Sequence, residues 1–141
     1  MARQLNVSAG RHVLDVGCGP GTITAALAGI VDTAIGVDID PNAIAAARQL
    51  ATHSSLANLS FVEADMTALP FEDGAFDAVF FHAVLYHQSH AKLTRTLAEA
   101  RRALKPGGLL ATRDADVGGN ILYPELDGVR LALDLWQRWY E

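Results

Sequence analysis

The stretch Val13-Leu14-Asp15-Val16-Gly17-Cys18-Gly19-Pro20-Gly21 sets an aspartate and three glycines at alternate positions on the end of an apolar run. Glycine lets a main chain turn sharply and lets a ligand approach its amides closely. Thr22, Ile23, Thr24, Ala25, Ala26 and Leu27 follow. That run reads as a helix whose first N–H groups face the loop. Asp38 falls about 20 residues later, where a carboxylate can accept hydrogen bonds from sugar hydroxyls. Its neighbour Asp40 precedes Pro41 and reads as a helix cap, so the sugar role goes to Asp38. His82 and His87 are the nearby residues of a type able to act as a general base at neutral pH. A packing role competes with that role for each. Arg113 can pair with a substrate carboxylate, or with its own neighbours Asp114 or Asp116. Three histidines also raise a metal site, but no carboxylate or cysteine stands at a usual ligand spacing. Cys18 is the only cysteine and reads as a small residue in a crowded loop rather than a nucleophile.

Alternating strands and helices must position these groups. The pattern predicts strands over 12–16, 34–38, 59–63, 76–81 and 109–112, and helices over 20–28, 41–52 and 89–104. Leu93, Leu97, Ala100 and Leu104 form the apolar stripe of the third helix, and Pro106-Gly107-Gly108 is expected to end it. A last helix is expected over 124–140, with Leu126, Val129, Leu133, Trp136 and Tyr140 along one side. Such strand–helix units build an α/β fold, a parallel sheet with helices on both faces. Ligands in such sheets bind beyond the carboxyl ends of the strands.

Several stretches together resemble the class I S-adenosylmethionine-dependent methyltransferases, of the small-molecule or quinone-biosynthesis type. Asp15, Gly17, Gly19 and Gly21 match that family's D-x-G-x-G-x-G loop; Asp38 matches the acid ending its second strand. Asp65 and Met66 match the adenine-contacting pair after its third strand, and Asp73-Gly74-Ala75-Phe76-Asp77 and Leu104-Lys105-Pro106-Gly107-Gly108 match two late motifs. The resemblance covers about residues 11–114. A Rossmann-like three-layer sandwich is implied, with strand order 3-2-1-4-5 and without the family's usual last two strands. The implied cofactor is S-adenosylmethionine, leaving as S-adenosylhomocysteine. Asp15, Gly17, Cys18, Gly19, Gly21, Asp38, Ile39, Asp65, Met66 and His82 would then surround it, with Ile39 against the adenine. The loop after the fourth strand, from Phe81 to His90, lacks the tetrapeptide of enzymes that methylate amino groups of nucleic acids.

The implied reaction is in-line methyl transfer to a small molecule. An S-adenosylmethionine-binding module without activity of its own is the alternative. A nicotinamide-dependent oxidoreductase is disfavoured, because Thr22 stands where a dinucleotide loop has its third glycine. The 141 residues suffice for a single domain. A net charge of −5 disfavours a nucleic-acid partner. Arg95, Arg101, Arg102 and Lys105 read as a solvated helix face. No apolar run is long enough to span a membrane. A single cysteine and no secretory pattern at the start suggest a cytoplasmic protein. The exposed edge of the fifth strand and the last helix suggest a homo-oligomer.

Overall fold

The computed structural model describes residues 11–114. The helix expected over 124–140 and Asp116 lie outside them. Five strands, β1 (His12–Val16), β2 (Thr33–Asp38), β3 (Leu59–Glu63), β4 (Phe76–His82) and β5 (Leu104–Arg113), form one sheet in the order β3-β2-β1-β4-β5. All pairings are parallel. This is the α/β order expected from the sequence.

Both faces of the inner strands β1, β2 and β4 are covered, so they read as nearly continuous apolar runs, whereas the edge strand β5 is largely exposed. Successive side chains leave opposite faces. Val13, Ala34, Phe61, Ala78 and Phe80 pack against α1 (Thr22–Ala28) and α2 (Pro41–His53). Leu14, Val16, Val37, Val79 and Phe81 pack against α3 (His90–Ala103). Asp40 caps α2 as expected, its side chain accepting from Asn42 N, with Pro41 in the first turn. Ser89 caps α3 in the same way, accepting from Lys92 N. No described helix is long and apolar enough to cross a membrane.

Three expectations need correction. The first helix starts at Thr22 rather than residue 20, because Gly21 caps it at φ 83°, a left-handed conformation that cannot continue a helix. Pro106-Gly107-Gly108 is not a turn ahead of the fifth strand but a bulge within it. Phe76 pairs with Leu104 and Ala78 already pairs with Leu109, so the residues between are pushed out of register. Pro106 has no N–H to give the ladder, which makes a bulge the natural place for it. Lys105 uses the bulge to reach Asp77, at 2.9 Å.

The basic residues of α3 also do more than face water. Arg102 donates to the carbonyls of Leu69 and Phe71, at 3.0 and 2.7 Å, and to Asp73 and Glu99. It ties the loop between β3 and β4 to the helix. That guanidinium holds the Glu99 carboxyl below the usual carboxylate range. Asp77 is likewise held low, first by the His12 amide and then by Lys105. Its place is structural, as expected.

Candidate functional site

A cleft of about 270 Å³ opens at the carboxyl ends of β1, β2 and β4. Its floor comes from Val16, Gly17 and Val37, one wall from Asp38, Ile39, Ala64 and Met66, and the other from His82, Ala83, Val84 and Gln88.

The glycine loop is fastened from below. Gly17 N and Cys18 N both donate to the Val37 carbonyl, at 2.8 and 2.9 Å. Two of its glycines are set by close packing. A Cβ on Gly17 would stand 2.4 Å from Val84 Cγ2, and one on Gly21 would stand 2.4 Å from Phe61 Cζ. Gly19 differs: its φ is +53°, yet nothing among the described residues lies within 4 Å of where its Cβ would point.

Asp38 closes the loop onto β2. Its Oδ2 accepts from Gly19 N at 2.8 Å and its Oδ1 from Asp40 N at 3.0 Å. A carboxylate has about four lone-pair sites, so both oxygens keep capacity for further donors. Asp15 lies under the loop, 1 % exposed. Its Oδ2 accepts from Thr24 Oγ1 at 2.7 Å, while the buried Oδ1 has no hydrogen-bond partner among the described residues. Burial pushes its pKa up to about 6; Thr24 opposes the rise and the charge of Asp38 adds to it. The Cys18 thiol is pushed up to about 12, by burial first and then by Asp15 and Asp38. It is a packing residue with no thiolate to offer.

Of the residues anticipated from sequence, Gly17, Asp38, Ile39, Met66 and His82 line the cleft. Gly19 joins it through Asp38. Asp15, Cys18 and Gly21 support it from beneath. Asp65 is not among the lining residues. Its Oδ1 accepts from both the amide and the hydroxyl of Thr67, at 2.9 Å each, and those bonds lower its pKa. His87 closes a short 3-10 turn, Leu85–His87.

Arg113 turns neither to Asp114 nor out alone: its Nη1 lies 3.1 Å from His82 Nε2. Asp114 is occupied elsewhere. It accepts from Val84 N at 2.7 Å, from Leu85 N at 3.1 Å and from the Thr112 hydroxyl. These bonds hold the loop after β4 over the cleft, and Ala83 sits there at φ 56°, strained for a residue with a Cβ. Val84 and Gln88 were missed in the sequence, as were the bonds from this loop to Asp114. The glycine at position 17 was the available sign of Val84, since a close approach needs a partner.

A methyltransferase domain family matches residues 13–108. "Probable methyltransferase ltbC" of Aspergillus luteorubrus is 38% identical over 112 residues, 73% of this chain and 39% of that protein. Demethylmenaquinone methyltransferase of Shouchella clausii is 35% identical over 109 residues, 75% of this chain and 46% of that protein. A SAM-dependent methyltransferase of Methanosarcina mazei superposes with a TM-score of 0.65 at 31% identity, covering 71% of this chain and 51% of that one. The chain thus spans less than half the length of these two curated relatives. The glycine loop, the strand order and these matches agree: the chain belongs to the methyltransferase domain family, of the class I S-adenosylmethionine-dependent type.

Proposed function

We propose that the cleft binds S-adenosylmethionine and that the chain serves methyl transfer to a small-molecule acceptor. The observation that carries this reading is the bond from Gly19 N to the Asp38 carboxylate, above the buried Asp15. A glycine loop built for phosphates points free amides at its ligand. In this chain Gly19 gives its amide to a carboxylate, and a second carboxyl lies underneath. Fixed negative charge repels a pyrophosphate and suits a cationic donor.

The residues fit such a group. Asp38 has lone pairs left for ribose hydroxyls. Ile39 is a large apolar side chain left 55% exposed at the cleft wall, suited to one face of an adenine. Met66 lines the same wall and would offer its main chain to the adenine edge. The donor supplies a methyl on positively charged sulfur, already reactive toward a nucleophile. The chain's task is alignment of two reactants and exclusion of water, which alone lowers a barrier by several kcal/mol.

The relative named demethylmenaquinone methyltransferase favours a small-molecule acceptor. A thermal-shift series with S-adenosylmethionine, S-adenosylhomocysteine and NAD tests the binding half. The first two should raise the melting temperature and NAD should leave it unmoved. Transfer of labelled methyl to a panel of phenols and quinone precursors tests the catalytic half. Binding with no product on any acceptor would favour a module without activity of its own.

A further inference from the structure

The ends of β1, β2 and β3 carry the glycine loop, Asp38, Ile39 and Met66. The ends of β4 and β5 carry a second pair. His82 and Arg113 are register partners on these adjacent strands, so both side chains leave the same face of the sheet. A guanidinium only donates. The Nε2 that faces Arg113 Nη1 at 3.1 Å is therefore the bare nitrogen, and the neutral ring carries its hydrogen on Nδ1. His82 is half-buried and lines the cleft, while Arg113 is exposed. No carboxylate among the described residues pairs with Arg113. Asp114 is committed to two amides and a hydroxyl. The guanidinium thus rests on a neutral ring nitrogen, a poorer partner than a carboxylate taken in two parallel bonds.

We propose that the methyl acceptor is a hydroxylated carboxylate, and that its carboxylate draws Arg113 off His82 and frees Nε2 as the base for the acceptor's hydroxyl. This rests on the methyl-transfer reading above. While Arg113 holds Nε2, its lone pair is taken and cannot receive a proton. An incoming carboxylate offers the guanidinium a better partner, and Nε2 is released for the acceptor's hydroxyl, which keeps the ring in the Nδ1–H form where an anion without a hydroxyl would not. The acceptor's O–H then donates to Nε2. As the acceptor oxygen takes the methyl, its proton moves to Nε2, the new O–C bond forms, and the pair of the broken C–S bond stays on sulfur. His82 afterwards passes the proton to water. An acceptor without an anionic group leaves Arg113 in place and the base blocked. Arg113 is thus a positioning residue that selects the substrate, and His82 the catalytic one.

The test is the tautomer of His82 in the full chain with S-adenosylhomocysteine bound, read from the ring nitrogen shifts by NMR and assigned with His82→Gln. Wild type should show the Nδ1–H ring. Benzoate, an anion with no hydroxyl to methylate, should move it toward the Nε2–H form that free histidine favours. Arg113→Ala should show that form with no benzoate present and give no response to it. In turnover, 3-hydroxybenzoate should exceed 3-hydroxybenzyl alcohol by roughly tenfold or more in kcat/KM, and Arg113→Ala should erase that preference. A wild-type ring that ignores benzoate, or an Arg113→Ala ring that keeps Nδ1–H, would overturn the proposal. Failure of S-adenosylhomocysteine to bind, seen separately by calorimetry, would overturn the parent reading instead.

Discussion

The two walls of the cleft are built by different means. On the β1–β2 side, glycines meet packed side chains and amides meet the Val37 carbonyl and the Asp38 carboxylate. Order there follows from burial and close approach. On the β4–β5 side, one exposed arginine leans on a half-buried histidine, Ala83 is strained, and a single carboxylate, Asp114, holds the loop. The first wall is made to keep one shape, whereas the second is held by contacts that a ligand can exchange. A rigid wall suits a cofactor used unchanged by every turnover. An adjustable wall suits the acceptor.

Breaking the packed wall should cost most. Gly21→Ala drives a Cβ into Phe61 and to 3.0 Å from Ala47 Cβ, at φ +83°. Overpacking and left-handed strain together predict a loss of about 2–5 kcal/mol, read from urea unfolding midpoints. A variant as stable as wild type would show that this wall yields as readily as the other.

Next comes pH. The Asp15 carboxyl rises from 3.8 to about 6 on folding. Between those values the folded chain holds a proton that the unfolded chain has lost. Stability should therefore fall as pH rises from about 4 to about 6 and stay lower above, by roughly 3 kcal/mol. Asp15→Asn should flatten that part of the profile relative to wild type, and parallel profiles would remove Asp15 from the account.

How much of this was legible follows the same division. The strands, the α2 cap and the glycine loop were readable because apolar runs, Asp40-Pro41 and glycine spacing are local signals. The bulge at Pro106 was not, since it depends on where Leu104 and Leu109 find partners in β4. Nor was the job of Arg102, whose carbonyl partners lie about 30 residues away. Asp114 was considered only as a partner for Arg113, because charge pairing is visible in sequence. Its actual bonds to Val84 N and Leu85 N join amides that become near only in the fold. Most lining residues among the anticipated set sit at strand ends, which topology places together; Asp65, two residues past β3, makes a local bond to Thr67 instead.

Asp38→Ala sharpens the comparison on the ligand side. It removes an acceptor for Gly19 N and the proposed partner of the ribose. Binding of S-adenosylhomocysteine should weaken by about 1.5–3 kcal/mol in a calorimetric titration. An unchanged affinity would take Asp38 out of the site.

The smallest effect belongs to the adjustable wall. Ala83→Gly relieves the φ 56° strain and should add stability of roughly 0.5–1 kcal/mol, after glycine's own entropy cost. S-adenosylhomocysteine affinity should not move. A loss of stability, or a loss of cofactor affinity, would mean that the two walls are not separable.

The most direct test of the central claim is a calorimetric titration of S-adenosylhomocysteine into wild type and Gly19→Ala. The new Cβ meets no atom of the described residues within 4 Å, so among them it intrudes only on the space assigned to the cofactor. Strain at φ +53° should cost stability of only about 1–2 kcal/mol. Wild type should bind one equivalent, and Gly19→Ala, folded by its unfolding curve, should bind at least about tenfold more weakly. Equal affinity in the two proteins would place the cofactor somewhere other than this loop and contradict the account.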